Sequence, residues 1–493
     1  MTDGAAILGA LGAAAVLCGS RRLVLAAGFA ALAVAELLLA HAGGLHLSTR
    51  LIGAGVVGVA VLCGLAALLL RARWLVIPLV AVAAPFRLPL DFGRSHRYFV
   101  AVAHGGQLGR LLPLYLVLAV ATLALLWDLV RQPMVAAMPR DIAWPTAAFL
   151  AFASISATWS IDVGSARNEL EYFLLPFAVL VAVAGRAPFP ANMPRLLGII
   201  AISLATVFAV VGLVEEATHR LIFYAHNLQV SNTYTSFFRV TSLFRDPSLY
   251  GRHVVLGIGV LVVCMWLRKI DLVPATILMA IMWAGLYFSY SQSSYAALFV
   301  VVLAVTLVAG DTRARRVAIV AAIAVVLIGG AIAASKVVHT SVRKATSDRS
   351  RRITLTAKAF AHHPLAGVGL GGQPRASQRL AAHYGPLQNF VSHTTPLTVA
   401  AELGIVGLAL YVLLLLGGAR AIDDVRRRNE ALGLSLAAVF LALFVHSLAY
   451  SGFFEDPITW LVLAIASAFL LQPEPSSEPA RATAEAREAV TTP

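Results

Sequence analysis

Candidate catalytic chemistry is concentrated in one polar segment that ends where a long apolar run begins. His393 lies just before Thr395-Pro396, a pair typical of an N-cap followed by proline at the first helical position, and residues 397–416 are apolar enough to cross a bilayer. The partial positive charge of a helix N-terminus disfavours imidazolium, so we expect a neutral His393 that can take a proton from an alcohol. The alternative is a loop histidine bonded only to the backbone.

Arginines provide a second kind of chemistry, the binding of an anionic ligand. Arg239 precedes Asp246-Pro247, where we expect the chain to break before the next apolar run. A guanidinium group suits phosphate because its planar fork donates two parallel hydrogen bonds. The alternative is snorkelling to lipid headgroups, which we expect for Arg252 rather than for Arg239.

The segment 336–395 is strongly basic although we place it outside the cytoplasm, which favours an anionic ligand there, either lipid headgroups or a lipid-linked phosphate. Its charged residues are Lys336, Arg343, Lys344, Arg349, Arg351, Arg352, Lys358, Arg375 and Arg379, with Asp348 as the one acidic residue.

Two other patterns predict no cofactor. Gly367-x-Gly369-x-x-Gly372 matches a dinucleotide fingerprint, but no strand precedes it, so we expect these glycines to shape a loop beside a bulky substrate. No pair among His362, His363 and His383 has the spacing of a helical metal site, and the three cysteines lie inside apolar runs.

Composition determines the fold class. The chain has 493 residues, 59% hydrophobic and only 13% charged, with a mean hydropathy of +0.83, whereas a soluble domain carries roughly 25% charged residues. Apolar runs of about 20 residues recur along it, which predicts an all-α, polytopic transmembrane helical bundle of about 12–15 spans. The predicted spans are 4–19, 23–42, 51–70, 74–85 (short, broken or re-entrant), 111–130, 143–158, 170–185, 196–214, 249–267, 272–290, 293–310, 315–335, 396–417, 432–450 and 457–471.

Short basic loops fall on every second connection and therefore predict one cytoplasmic side. The loops lie at Arg21-Arg22, Arg71/Arg73, Arg131 to Arg140, Arg186 to Arg195, Arg268-Lys269, Arg313/Arg315/Arg316 and Arg420 to Arg428. The long loops 86–110, 215–248 and 336–395 are then external. The net charge of +14 thus has membrane anchors and an external surface as its sources, and we expect no nucleic acid as a partner.

Four motifs resemble those of the bacterial O-antigen ligase and O-antigen polymerase superfamily, membrane glycosyltransferases of the GT-C type. The motifs are HHPLAGVGLGG (His363, Pro364, Gly367, Gly369, Gly371), SHTTPLTVAAELGIVGLALYV (His393, Leu397, Glu402, Gly404, Gly407), RVTSLFRDPSLYG (Arg239, Asp246, Pro247, Gly251) and YSQSSY (290–295). The last departs from the family pattern, since Gln292 stands where an arginine is common. The resemblance covers about 230–410 by motif and the remainder by architecture only.

The resemblance implies a domain division. Residues 1–73 would be an N-terminal extension of three helices and 74–335 the transmembrane core. Residues 336–395 would form an external loop domain with active-site residues, and 396–471 the C-terminal helices, followed by a disordered cytoplasmic tail, 472–493. The active site would face the periplasm or cell exterior, in the bacterial inner membrane.

The resemblance also implies a reaction, the transfer of a glycan from an undecaprenyl diphosphate carrier to the hydroxyl of a glycan, lipid or protein acceptor, without metal or nucleotide. His393 would be the general base, and Arg239 and Arg352 the diphosphate clamps, with Arg349 as the alternative second clamp. Asp246, Gly367, Gly369 and Glu402 would support the site, Glu402 in a structural or orienting role.

Two alternatives follow. A polysaccharide polymerase would use the same chemistry with another acceptor. A transporter or flippase of anionic lipid or polysaccharide would need polar groups at mid-membrane, whereas the arginines cluster at one face.

Overall fold

The computed structural model of the protein describes residues 2–44, 49–86, 111–132, 134–223, 226–339, 349–381, 390–450 and 452–473. The predictions for 87–110, Arg343, Lys344, Asp348, His383 and 474–493 lie outside the described residues.

The described residues form helices and no β-strand, so the prediction of an all-α polytopic protein is confirmed. The α-helices are α1 Thr2–Cys18, α2 Arg22–Ala42, α3 Thr49–Leu69, α4 Val76–Ala83, α5 Leu112–Arg131, α6 Arg140–Ser156, α7 Val163–Glu169, α8 Leu175–Ala184, α9 Met193–Thr218, α10 His226–Tyr234, α11 Pro247–Trp266, α12 Leu272–Tyr287, α13 Gln292–Ala309, α14 Thr312–His339, α15 Arg349–His362, α16 Gln373–Leu380, α17 Thr395–Arg428, α18 Glu430–Ser447 and α19 Pro457–Leu470.

Within the described ranges, nine helices are long and apolar enough to cross a membrane, and one bent pair would make a tenth. They are α2, α5, α6, α9, α11, α13, α14, α17 and α18, while α1, α12 and α19 are shorter apolar helices. The predicted fourth span is short in the structure as well. Helix α4 has eight residues and ends two residues before Pro85. The segment that contains α4 is bent by 109° relative to α3.

The predicted basic loop over 420–428 is helical in the structure. We placed the end of the span beginning at 396 near 417, with a basic loop over 420–428, but α17 continues as a helix to Arg428. Asp423 pairs with Arg426 at 2.7 Å and with Arg427 at 2.9 Å, the i, i+3 and i, i+4 spacings that support a helix outside the membrane. Hydropathy therefore predicts where the apolar segment ends, whereas the helix itself continues to Arg428.

Helix α11 lies at the centre of the bundle, with 78% of its membrane-length window buried. It packs against α9, α12, α13 and α18. Gly257 faces α9 so closely that a Cβ there would overlap the Ala205 side chain, and Gly259 faces Val301 of α13. Inside a bilayer the hydrophobic effect does not drive helices together, so their association depends on close packing. Small residues such as these glycines let the helix backbones approach closely enough for that packing.

Several predicted cytoplasmic loops meet at one end of the bundle. The Arg186 guanidinium donates hydrogen bonds to the carbonyls of Gly19 at 2.8 Å and Ala136 at 3.3 Å, which joins three of the basic loops. Helix α6 begins beside them at Arg140 and runs to the other end, where Ser160 Oγ donates to the Leu370 carbonyl at 2.7 Å. The candidate site residues near 370 thus lie at the end opposite to the basic loops.

Candidate active site

His393 lies in a short non-helical segment that leads into α17. The N-cap of this helix is Thr394, one residue earlier than the predicted Thr395, and Pro396 occupies the first turn as expected. The side chain of Arg352, on α15, reaches across from another part of the chain. Its Nη1 lies 2.5 Å from Nε2 of His393, so Nε2 accepts this hydrogen bond and the ring proton resides on Nδ1.

The surroundings keep the His393 ring neutral. Burial lowers the pKa of His393 most, the positive charges of Arg352 and Arg349 lower it further, and the negative charge of Asp246 opposes them. The direction agrees with the expectation from nearby arginines. A neutral imidazole with an unprotonated nitrogen is the form that can act as a base.

Arg349 and Arg352 lie three residues apart on α15 and therefore on one side of that helix. Arg352 donates a hydrogen bond to His393, whereas Arg349 acts on the same ring through its positive charge. Of the two predicted alternatives for the second clamp, Arg352 is thus the one in contact with the candidate base.

Arg239 is held at its main chain by the Asn232 side chain and at its guanidinium group by backbone carbonyls. Its main-chain N–H donates to Oδ1 of Asn232 at 3.0 Å, and Nδ2 of Asn232 donates to its carbonyl at 3.1 Å. The guanidinium donates to the carbonyls of Ser289 at 3.3 Å and Tyr290 at 3.5 Å and is half-buried. Burial lowers the pKa of Arg239, and the charge of Asp246 opposes this. Because both carbonyls are neutral, they orient the guanidinium group without neutralising its positive charge. That charge remains available to bind an anion.

Asp246 links the two halves of the site. Its Oδ1 accepts hydrogen bonds from the main-chain N–H groups of Ser248 at 2.7 Å and Leu249 at 3.0 Å, and so caps α11. Its charge acts on both Arg239 and His393. The predicted break at Asp246-Pro247 is therefore a helix N-cap, and its carboxylate is near enough to act electrostatically on both the candidate clamp and the candidate base.

Tyr450 is a site residue that the motifs did not reveal. Its hydroxyl is hydrogen-bonded to Asp246, and its ring centroid lies 6.1 Å from that of His393. Burial raises the pKa of Tyr450, and the Asp246 charge raises it further, so it stays a protonated donor. It lies three residues after the end of α18, at the end of a predicted span. The one signal in the sequence was an amphipathic aromatic side chain at the expected membrane boundary.

The glycine-rich loop pairs with a break in α17. The N–H of Val368 donates to the Ala401 carbonyl at 3.0 Å, and the N–H of Gly369 donates to the Glu402 carbonyl at 2.8 Å. In return, the N–H of Ile405 donates to the Pro364 carbonyl at 2.8 Å. The helix can accept these loop bonds because Gly404, at φ +66° and ψ −164°, interrupts its own hydrogen-bond series.

Protein backbone fills the space beside the two predicted loop glycines. A Cβ on Gly367, at φ +69°, would overlap the Glu402 backbone, and one on Gly369, at φ +86°, would overlap Ser160. Their role is thus close backbone approach within the protein, which fixes the loop against α17 and the end of α6. We expected a bulky substrate beside this loop instead.

Glu402 and Gln373 fix the chain around His393. Oε1 of Glu402 accepts from the main-chain N–H of Gln373 at 3.2 Å, which supports the predicted structural role. The fully buried Gln373 then donates to the Phe390 carbonyl at 3.1 Å and accepts from the N–H of Ser392 at 3.0 Å. Gln373 was not predicted, because a single glutamine in a polar stretch has no pattern to mark it.

The expectation that Arg252 snorkels to lipid headgroups is wrong. Arg252 is only 1% exposed, and its Nη2 lies 2.5 Å from Oδ2 of the fully buried Asp456. Asp456 also caps α19 through the N–H of Ile458 at 2.9 Å. Position near a predicted span end suggested the membrane surface, but the partner stands 204 residues later in the chain, where spacing could not reveal it.

Residues 277–412 match a family model described as O-antigen ligase. No curated protein matches the chain. The matched region contains His393, Arg349, Arg352 and the glycine-rich loop, while Arg239 and Asp246 lie before it. The match supports membership of the O-antigen ligase superfamily, the same superfamily whose motifs the sequence resembles.

Proposed function

We propose that this protein transfers a glycan from an undecaprenyl diphosphate carrier to an acceptor hydroxyl, at a site formed by His393, Arg352 and Arg239. The observation that carries the proposal is the contact between the Arg352 guanidinium and His393 Nε2, which joins an anion-binding group to a neutral base. The O-antigen ligase match over 277–412 supports a membrane glycosyltransferase.

The arginines would act on the departing diphosphate. Arg239 and Arg352 come from different segments and would bind the anion from two sides, neutralising the charge that develops as the glycosidic bond breaks. Asp246 acts electrostatically on both Arg239 and His393 and would partly balance the positive charge of the arginines before the donor binds. His393 would remove the proton of the acceptor hydroxyl as its oxygen attacks the anomeric carbon.

The contact between Arg352 and His393 has a consequence for the order of events. While Arg352 donates to Nε2, that nitrogen cannot accept a proton from an acceptor. A diphosphate would draw the guanidinium away, because a charged pair of this kind is stronger than a hydrogen bond to a neutral ring. Loss of the adjacent positive charge and arrival of negative charge both raise the pKa of His393, which makes it a stronger base. Donor binding would therefore precede activation of the acceptor.

A ligase and a polymerase would differ only in the acceptor, and the site proposed here would carry out either reaction. The position of the arginines favours either enzyme over a transporter or flippase, since Arg239, Arg349 and Arg352 all lie outside the candidate spans. On the proposed topology this end of the bundle, with the segments 215–248 and 336–395, faces the periplasm, in the bacterial inner membrane.

The direct test is transfer in vitro from a defined undecaprenyl diphosphate-linked glycan to a panel of glycan, lipid and peptide acceptors. His393→Ala is expected to reduce turnover per folded molecule by about 10²–10⁴-fold while binding of the lipid-linked glycan persists. His362→Ala, an exposed histidine at the end of α15, is the matched control and should retain wild-type turnover. Near-normal turnover of folded His393→Ala would refute the role of general base.

A further inference from the structure

A long apolar groove of about 630 Å³ lies between helices α4, α9, α11, α18 and α19, and none of the roles described above uses it. On α9 it is lined from Pro194 to Phe208, and on α11 from His253 to Cys264. Most of the lining side chains are aliphatic. Ile199 lines the groove and is 52% exposed, so this wall opens sideways to the surrounding bilayer. Such a groove favours a hydrocarbon chain as its occupant.

The groove has the depth of one lipid leaflet. At a rise of 1.5 Å per residue, the α9 segment from Pro194 to Phe208 is about 21 Å long. A bilayer with its headgroups is about 40–45 Å thick, so one leaflet with its headgroups is about 20–22 Å. The groove therefore matches one phospholipid in length, from headgroup to chain end.

Two cations lie at the same end of the groove. Arg195 is in the first turn of α9, Lys269 follows the end of α11, and both line the groove together with Asn429, the N-cap of α18. This is the basic end of the bundle, where the predicted cytoplasmic loops meet. Both cations are exposed, and in the part of the chain that the structure describes neither forms an ion pair with a carboxylate. Guanidinium and ammonium groups bind phosphate, so this end of the groove is suited to an anionic headgroup.

Aromatic rings separate the groove from the candidate active site. Phe208 and His253 line the groove and are both buried, with ring centroids 6.2 Å apart. Both rings pack against Phe244, at 5.0 Å and 4.5 Å, and Phe244 belongs to the segment between Arg239 and Asp246. A chain in the groove thus meets packed rings before it reaches the segment that carries the candidate clamp.

We propose that this groove binds one phospholipid with an anionic headgroup, taken from the leaflet at the basic end. Its acyl chain would lie along α9 and α11, and its phosphate would contact Arg195 and Lys269. Cations that only snorkel contact the headgroup of any neighbouring lipid. Here the cations adjoin an apolar groove one leaflet deep, so the headgroup and the chain of the same lipid are bound together.

The lipid-linked donor is a different ligand. Its diphosphate is expected at Arg239 and Arg352, on the other side of the packed rings and at the opposite end of the bundle from Arg195 and Lys269. Its polyprenyl chain is neutral hydrocarbon and has no group for these two cations to bind. The phospholipid site is therefore independent of the proposed transfer reaction, and its test requires no transfer.

Lipid binding to the purified full-length protein can be measured by native mass spectrometry during titration with phosphatidylglycerol. Phosphatidylcholine with the same acyl chains has no net charge and should bind more weakly. Each basic residue near an anionic lipid headgroup contributes about fivefold in affinity, so Arg195→Gln/Lys269→Gln should weaken binding of phosphatidylglycerol about 25-fold. Arg313→Gln/Arg316→Gln is the matched control, because it removes two exposed charges from the start of α14 that do not line the groove. It should leave the affinity unchanged.

A second pair of variants blocks the groove and keeps its charges. Gly198 lines the groove, and a Cβ there would meet no heavy atom of the described residues within 4 Å. Gly198→Phe can therefore place its ring in the groove and should abolish binding of phosphatidylglycerol. Gly330→Phe is the control, because Gly330 on α14 also faces open space but does not line the groove. Thermal unfolding of both variants shows whether the fold is retained.

The outcomes distinguish the phospholipid from other occupants. The inference is overturned if phosphatidylglycerol and phosphatidylcholine bind equally well, or if the two double glutamine variants bind phosphatidylglycerol with the same affinity. It is also overturned if folded Gly198→Phe binds phosphatidylglycerol as the wild type does. Undecaprenyl diphosphate should bind equally to Gly198→Phe and Gly330→Phe. Loss of its binding in Gly198→Phe alone would assign the groove to the chain of the donor and refute the phospholipid site.

Discussion

The contact between Arg352 and His393 predicts that removing the charge of Arg352 will change the pH dependence of the reaction. His393 must be unprotonated to act as a base, so kcat/KM is high above its pKa and falls as the pH decreases through it. In the free protein, burial and the two arginines hold the pKa of His393 below its ordinary range. The acid limb of the wild-type profile should therefore lie below about pH 6.5, the ordinary value for histidine.

The magnitude follows from the geometry. With Nη1 and Nε2 2.5 Å apart, the two charge centres are separated by about 4 Å, which corresponds to about 1 kcal/mol with the screening of water and about 4 kcal/mol near a protein surface. Arg352→Met removes this repulsion and should move the acid limb to higher pH. Arg352→Lys keeps the charge, so its acid limb should stay near that of the wild type.

Both variants should also lose donor binding. Loss of one charge-assisted hydrogen bond costs on the order of 1.5–3 kcal/mol, so kcat/KM for the lipid-linked glycan should fall about ten- to 150-fold in Arg352→Lys. The assay is kcat/KM for a defined lipid-linked glycan from about pH 5 to pH 8, the range in which histidine titrates. Acid limbs at the same pH in Arg352→Lys and Arg352→Met would refute the electrostatic coupling, whatever the loss of rate.

His393→Gln should not restore the turnover that His393→Ala loses, because an amide can orient an alcohol but cannot accept its proton; turnover close to wild type in the glutamine variant would exclude general-base catalysis. Arg239→Lys should weaken use of the lipid-linked donor about ten- to 150-fold, and normal donor KM and turnover would remove Arg239 from the clamp. Gly404→Ala should destabilise the protein by about 1–3 kcal/mol or more, since φ is +66° there and a Cβ would overlap the loop backbone. The control in thermal unfolding is Gly330→Ala, because a Cβ at Gly330 on α14 would meet open space. Equal melting temperatures for the two variants would contradict the pairing of loop and helix. Gln378→Cys, an exposed position on α16, should react with an impermeant thiol reagent on spheroplasts, and reaction only after lysis would reverse the proposed topology.

The sequence by itself determined the fold class and most of the helices. Hydrophobic length is a local property, since about 20 apolar residues must form a helix in a bilayer whatever lies elsewhere in the chain. The helix starts at Pro247 and near Thr395 were also predictable. Proline and a capping side chain favour a helix start through contacts within the first turn, so the effect depends only on neighbouring residues in the sequence. Boundaries were less certain where polar residues continue a helix, as in α17 beyond 417.

The motifs identified His393, Arg239 and Arg352 one by one, but only the tertiary structure decided what each of them contacts. Arg352 and His393 are 41 residues apart, and Tyr450 joins Asp246 from the end of another helix. Arg252 was expected at the membrane surface and instead pairs with Asp456 in the interior. A cavity of about 210 Å³ lined by Val391 and Thr395 likewise combines residues from α6, α7, α17 and the turn before α19. Spacing along a chain specifies which residues share a helix face, whereas hydrogen bonds, ion pairs and cavities depend on how separate helices pack, and that is a property of the whole bundle.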